Sequence, residues 1–293
     1  MDKRATVLIR LLRPHHWVKN LFIFAGPFFS LKLFAPGNAF TMSLGFVCWC
    51  LMTSAMYVFN DIVDRDSDTQ HPQKKKRPLP SGAIGVRTAY ALWLLLLLGS
   101  VLLASWLGRE FFYGIFLYFA INLAYSLYLK HVIILDVMCI AAGFVLRVIS
   151  GAVLIHVGFS EWLIMCAFML SLLLGFSKRQ EEITYLGVDA HSHRKVLKDY
   201  ERGFLERIPY TLISATIVCY MLYTVSQEAV RKFGTKNLIY TAPFVIYGLF
   251  RYAYVAYEKN KGADPTQVLF QDLPTAVNII LWILATAFII YLH

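Results

Sequence analysis

NDIVDRDSDTQHPQKKKRPLPSG (60–82) sets four aspartates ahead of four consecutive basic residues, with long apolar runs on both sides of the stretch. Opposed charge this dense does not continue a hydrophobic core, so the stretch reads as a loop between two apolar segments. The runs beyond it agree. ALWLLLLLGSVLLASWLG (91–108) and AVNIILWILATAFIIYLH (276–293) each approach the roughly 20 apolar residues that cross a bilayer.

The 293 residues are 58% hydrophobic and 16% charged, against about 25% charged in a typical soluble domain. Mean hydropathy is +0.57. These values imply an integral membrane protein. Apolar spans between charged or Gly/Pro breaks give nine candidate helices near 17–34, 40–59, 87–107, 111–129, 132–155, 160–177, 208–226, 238–257 and 274–292. Backbone in lipid must satisfy itself, so the expected fold is an all-α bundle of nine transmembrane helices. It forms one domain over 1–293, with cytoplasmic active-site loops at 60–87 and 178–207. The N-terminal segment, 60–87, 129–131, 178–207 and 258–272 carry 21 Lys and Arg, and the opposite set of loops carries 5. The positive-inside bias then puts the N-terminus in the cytoplasm and the C-terminus outside. It also accounts for the net charge of +10 without nucleic acid. No leader with a cleavage site stands out, and the first span is expected to act as its own insertion signal. The five cysteines lie in apolar runs without metal or disulfide spacing.

Continued as helix from the second span, residues 60–68 bring Asp61, Asp64 and Asp68 to about 0°, −60° and −20°, with Asn60 near −100° and Asp66 turned away at about 140°. Three carboxylates on one face repel unless a cation lies among them. All-oxygen ligands suit Mg²⁺, which takes a few carboxylates while substrate phosphates complete its shell. Pro72, Pro78 and Pro80 keep the following stretch out of helix, so Lys74–Arg77 form a loop able to fold back over the acids. A charge signal at a membrane boundary explains the lysines but not the clustering of the aspartates. His191 and His193, two residues apart, do not share a helix face and are expected in solvated loop.

Asn60-Asp61-x-x-Asp64-x-x-x-Asp68 resembles the NDxxDxxxD signature of the UbiA superfamily of intramembrane prenyltransferases. The resemblance implies a nine-helix enzyme with Mg²⁺-bound diphosphate. Most members carry a second acidic motif after the fourth or fifth helix. Here Asp136 is followed four residues on by Ile140, so the second carboxylate pair is missing. The chain instead looks like the decaprenyl-phosphate phosphoribosyltransferase branch. That likeness is carried by RPHHWVKN (13–20), HPxKxxRP (71–78), YSLYLKH with LD and GFxxR (125–147), and GFSKRQEE (175–182).

The branch implies transfer of 5-phosphoribose from phosphoribosyl pyrophosphate to a polyprenyl phosphate lipid, for envelope glycan synthesis. The enzyme would be a multi-pass protein of the cell (inner) membrane with its site facing the cytoplasm. Asp61, Asp64 and Asp68 would hold the metal, with Asn60 in support. Lys74 and Arg77 would take pyrophosphate. Lys19, Tyr125, Lys130, Asp136, Lys178 and Arg179 would contact ribose or phosphate. Arg147 lies about 16 Å of helical rise from Asp136 and is left outside the catalytic set. A homo-oligomer is compatible with this reading. The alternatives are conventional prenyl transfer to an aromatic or lipid acceptor, and a non-enzymatic transporter or lipid-binding protein.

Overall fold

A computed structural model describes residues 3–70, 74–186, 195–258 and 271–292. Among them every regular element is helical. Eight helices among the described residues are long and apolar enough to cross a membrane: Asn38–Val63, Val86–Leu107, Arg109–Leu127, Leu135–Leu154, Glu161–Thr184, Gly203–Val225, Asn237–Tyr257 and Leu273–Tyr291. Leu95, Leu102 and Trp106, on one of them, are 69%, 68% and 70% exposed. Large apolar side chains bared to that extent along a helix fit contact with lipid rather than water.

The chain forms two compact units. The first contains α1 (Lys3–Leu12), a 3₁₀ helix (Pro14–Phe24), α2 (Ala25–Phe29), α3 (Asn38–Val63), α4 (Arg65–Gln70), α5 (Val86–Leu107), α6 (Arg109–Leu127) and α7 (Leu135–Leu154). Here α3 packs along α5 and the 3₁₀ helix, and α6 packs on α7. The turn from α5 into α6 is made at Gly108, whose φ of 130° favours a residue without Cβ. One apolar cluster joins Trp49, Met52, Phe111, Ile115 and Tyr118 to Ile23. A second joins Leu11 of α1, Ala55 and Val58 of α3, Ala89 and Leu96 of α5, and Leu79 of the loop after the basic run.

The expected first span, 17–34, is not one α-helix. Eleven residues in 3₁₀ form are followed by a five-residue α2. At about 2.0 and 1.5 Å per residue these rise about 30 Å, the thickness of a hydrocarbon core. Pro27 contributes at the C-terminal end of this segment. In an α-helix the carbonyl of Ile23 would receive the N–H of residue 27, and Pro27 has none. That carbonyl instead lies against Gly151 of α7, where a Cβ would stand 1.7 Å from it. Only glycine allows this approach.

The second unit contains α8 (Glu161–Leu186), α9 (Arg202–Val225), α10 (Gln227–Phe233), a 3₁₀ turn (Asn237–Thr241), α11 (Ala242–Ala253), a π-helical turn (Tyr254–Glu258) and α12 (Leu273–Tyr291). Here α8 packs along α9, and α11 along α12. Polar ties supplement the packing. Trp282 Nε1 donates to Tyr220 Oη at 3.0 Å, and Asn278 Nδ2 donates to the Phe244 carbonyl at 2.9 Å. Asp272 caps α12, accepting from Thr275 N at 3.1 Å, and receives Arg251 through Nε at 3.0 Å and Nη2 at 2.8 Å.

Two outcomes follow from this packing. Gly151→Ala should cost about 3 kcal/mol, because its Cβ meets backbone that cannot swing away. Gly158→Ala, with open space around it, should stay within about 0.5 kcal/mol. Thermal unfolding in detergent reads both. The Arg251 guanidinium holds the Asp272 carboxyl well below the usual carboxylate range. A depressed carboxyl stabilises the fold above its unfolded pKa of about 3.9, and that contribution is lost as pH falls through the folded value. Asp272→Asn should therefore lower the melting temperature at neutral pH and flatten its fall below about pH 4.

Candidate active site

α3 brings Asn60 and Asp61 to its last turn and then stops, with Asp64 at its cap (φ −91°, ψ 6°). The chain restarts as α4, whose first turn places Asp68 so that its N–H reaches the Asp64 carbonyl at 2.8 Å. The continuous helix expected over 60–68 is thus bent at Asp64, and this redistributes the acids. Asp61 and Asp68 are 1% and 3% exposed, while Asp66, expected to turn away from them, is exposed.

Arg77 Nη1 donates to Asp61 Oδ1 at 3.2 Å and to Asp68 Oδ2 at 2.6 Å, so the basic loop does fold back over this face. Its position is set by the neighbouring chain. Leu79 is buried in the second apolar cluster, and Arg77 N donates to Lys74 O at 2.9 Å, closing the turn. Lys74 Nζ stands 3.9 Å from Asp68 Oδ1. Asp64 leaves the other two and pairs instead with Lys130 Nζ at 2.5 Å. Tyr125 is half-buried near the end of α6, which closes at Leu127, and Lys130 stands on the 3₁₀ turn that follows. Asp136 is wholly buried in the first turn of α7. Ile134, just before it, has φ 68°, an outlying value for a β-branched residue.

Arg13 was not among the expected site residues. Its Nη2 donates to Asp61 Oδ1 at 2.5 Å, and its guanidinium lies 5.1 Å from the Tyr57 ring centroid. Its backbone is left-handed, φ 53°. Non-glycine residues held there persist where surrounding contacts over-determine them, and such positions cluster at functional sites. The signal was Pro14, which drives the residue before it out of right-handed helix and puts a corner at Arg13.

Lys19 is half-buried on the 3₁₀ helix beside Asn20, which is fully buried. Asn20 Oδ1 accepts from Arg147 Nε at 2.9 Å, and its Nδ2 donates to Thr53 Oγ1 at 3.2 Å. Arg147 also donates to the Gly143 carbonyl and to Tyr118 Oη, so it joins segments of the first unit rather than facing the carboxylates. In the second unit, Lys178 is half-buried on α8. Arg179 is 1% exposed and pairs with Glu182 at 3.0 Å. His71, Pro72, His191, His193 and Arg194 lie outside the described residues.

Among the described residues, no three His, Cys, Asp or Glu side chains converge as a metal cluster. The bend at Asp64 and the inserted basic groups keep the acids apart. The donor chemistry nevertheless fits a hard divalent ion. Asp61 Oδ2 and Asn60 Oδ1, on adjacent residues, are buried acceptors with no hydrogen-bond donor among the described residues.

The UbiA prenyltransferase family model matches residues 20–273. The chain belongs to that family. Decaprenyl-phosphate phosphoribosyltransferase of Mycolicibacterium smegmatis is 29% identical over 94% of this chain and 90% of its own length. The protein of the same name from Corynebacterium glutamicum is 28% identical over 97% and 87%. A solved UbiA homolog from Archaeoglobus fulgidus, bound to GPP and Mg²⁺, superposes with a TM-score of 0.73 over 97% of this chain and 99% of its own, at 20% identity. A second fold neighbour, from Aeropyrum pernix, gives 0.67 at 15% identity. The family and the apolar helices together make this a multi-pass membrane protein.

Arg77 is the cation two buried carboxylates share, so Arg77→Gln should destabilise the fold by about 2 kcal/mol, discounted for the partial exposure of the arginine. Lys75→Gln, at an exposed neighbour, should cost under about 0.5 kcal/mol in the same melting experiment.

Proposed function

We propose that the chain is a polyprenyl-phosphate phosphoribosyltransferase, moving 5-phosphoribose from phosphoribosyl pyrophosphate to a polyprenyl phosphate with release of pyrophosphate. The observation that carries the reading is the near-full-length similarity to decaprenyl-phosphate phosphoribosyltransferases. Ile140, standing where a second acidic motif would complete its carboxylate pair, points the same way. So does the basic surround: Arg13, Lys74, Arg77 and Lys130 all reach the acids of the site.

The chemistry asks for no strong base. A lipid phosphate, with a second pKa of about 6, is largely ionised at neutral pH. One of its oxygens bonds to the anomeric carbon of the ribose as the carbon–oxygen bond to pyrophosphate breaks, and that electron pair leaves with pyrophosphate. Asn60, Asp61, Asp64 and Asp68 are the residues that would hold Mg²⁺. The ion, when bound, would neutralise charge on the leaving pyrophosphate. Arg77 and Lys74 donate to the same phosphates, and Lys178 and Arg179 are assigned to phosphate by the branch motif. Lys19, Tyr125 and Lys130 orient the lipid phosphate and ribose, and Asp136 accepts from a ribose hydroxyl. Holding the reactants in line and matching their charge carry the rate.

The same reading includes nine crossings of the inner membrane in a single domain, the 3₁₀ segment supplying the first. It has a cytoplasmic N-terminus and site, an outer C-terminus, and a product used for envelope glycan. The homo-oligomer stays compatible with it. Conventional prenyl transfer is the second reading, favoured by the GPP-bound fold neighbour.

Purified protein, labelled phosphoribosyl pyrophosphate and polyprenyl phosphate, with and without Mg²⁺, decide between them. Label entering the organic phase only with Mg²⁺ supports the first. Product from prenyl diphosphate and an aromatic acid, with none from the sugar donor, supports the second. Asp64→Asn and Asp68→Asn should each lower turnover about a thousandfold or more. Asp66→Asn, at an exposed position, should stay within about twofold. Equal losses at all three positions would remove the acidic face from the mechanism.

A further inference from the structure

The acids of the site are already neutralised by the protein. Asp61, Asp64 and Asp68 carry three negative charges, and the four basic groups paired with them, Arg13, Lys74, Arg77 and Lys130, carry four positive ones. A divalent ion arriving alone would therefore meet a surplus of positive charge at carboxylates that are 1–4% exposed for Asp61 and Asp68. At close range, in a site this poorly hydrated, such like-charge contacts oppose binding of the ion. A diphosphate brings the missing negative charge.

We infer that the divalent ion loads this site together with the diphosphate donor, and that Arg13 and Lys130 give up their carboxylates to the ion, Arg13 turning to the donor's phosphates and Lys130 to the ribose and the acceptor phosphate. The geometry singles out these two. Each is hydrogen-bonded to one carboxylate, Arg13 to Asp61 and Lys130 to Asp64, whereas Arg77 spans two acids and Lys74 Nζ stands 3.9 Å from Asp68 Oδ1, beyond hydrogen-bond distance. Arg13 also has a second seat over the Tyr57 ring, which keeps its guanidinium at the site once the carboxylate is released. On the acidic side, Asp61 Oδ2 and Asn60 Oδ1 are buried without donors among the described residues, so Asp61 can accept an ion on one oxygen before Arg13 leaves the other. Arg13 thereby becomes a substrate-binding residue. This inference rests on the proposed function only in that the donor carries a diphosphate.

The test measures Mn²⁺ retained by the wild-type protein in detergent, at matched free Mn²⁺, by equilibrium dialysis and electron paramagnetic resonance, with and without inorganic pyrophosphate. The expected result is binding about tenfold tighter with pyrophosphate present. Lys130→Gln and Arg13→Gln should each tighten Mn²⁺ binding in the absence of pyrophosphate by about tenfold, narrowing that gap, because each removes a competing cation. Wild-type protein that binds Mn²⁺ equally well with and without pyrophosphate overturns the inference. So do variants that fold and bind the ion alone no better than wild type. If Arg13→Gln does not fold, the wild-type comparison and Lys130→Gln still decide. Linkage to pyrophosphate without transfer from phosphoribosyl pyrophosphate would sink the donor assignment and leave this inference standing. Transfer without linkage would do the reverse.

Discussion

One guanidinium shared by two buried carboxylates holds the working end of the first unit together. Arg77 meets Asp61 at the close of α3 and Asp68 in α4, on either side of the bend at Asp64. Arg13 adds the corner after α1, and Lys130 ties Asp64 to the turn after α6. Segments far apart in the chain are thus fastened by charge. Removing one partner leaves an uncompensated buried charge, which costs far more than the pair gains in stability. Such pairs fix geometry more than they add stability, and here they fix it where phosphate is proposed to bind.

Below this layer a second polar group obeys the same rule in a drier setting. Arg147 is 5% exposed and has the Trp49, Tyr118 and Phe144 rings around its guanidinium at 4.8–5.4 Å. Its hydrogen bonds go to Asn20, Gly143 and Tyr118. Charged residues inside a membrane bundle must find partners within the protein. In doing so Arg147 fastens the 3₁₀ helix that carries Lys19 to α6 and α7. The close packing at Gly151 fastens the same segment at a second point.

Much of the fold was legible because lipid leaves the chain few choices. Apolar runs of 18–20 residues can only become helices, and eight of the nine expected segments do. Asp66 was turned away from the acidic face by helical angle alone, and it is exposed. The second-unit residues Lys178 and Arg179 were legible as basic side chains closing an apolar run. That Arg179 would be buried against Glu182 was not. Periodicity reports which way a residue faces on its own helix and is silent about neighbours from elsewhere in the chain.

The sequence by itself determined the membrane class, the helical architecture and the family, because each follows from local pattern: apolar length, acidic spacing and the positions of proline. Tertiary structure alone decided that α3 ends at Asp64 and sends it to Lys130, and that Arg13 completes the site from 48 residues away. It also decided that the Ile23 carbonyl of the first segment rests against the backbone of Gly151. These outcomes depend on long-range pairing and close backbone contact. Their energies exist only once separate helices are packed together, so no local window of residues contains them.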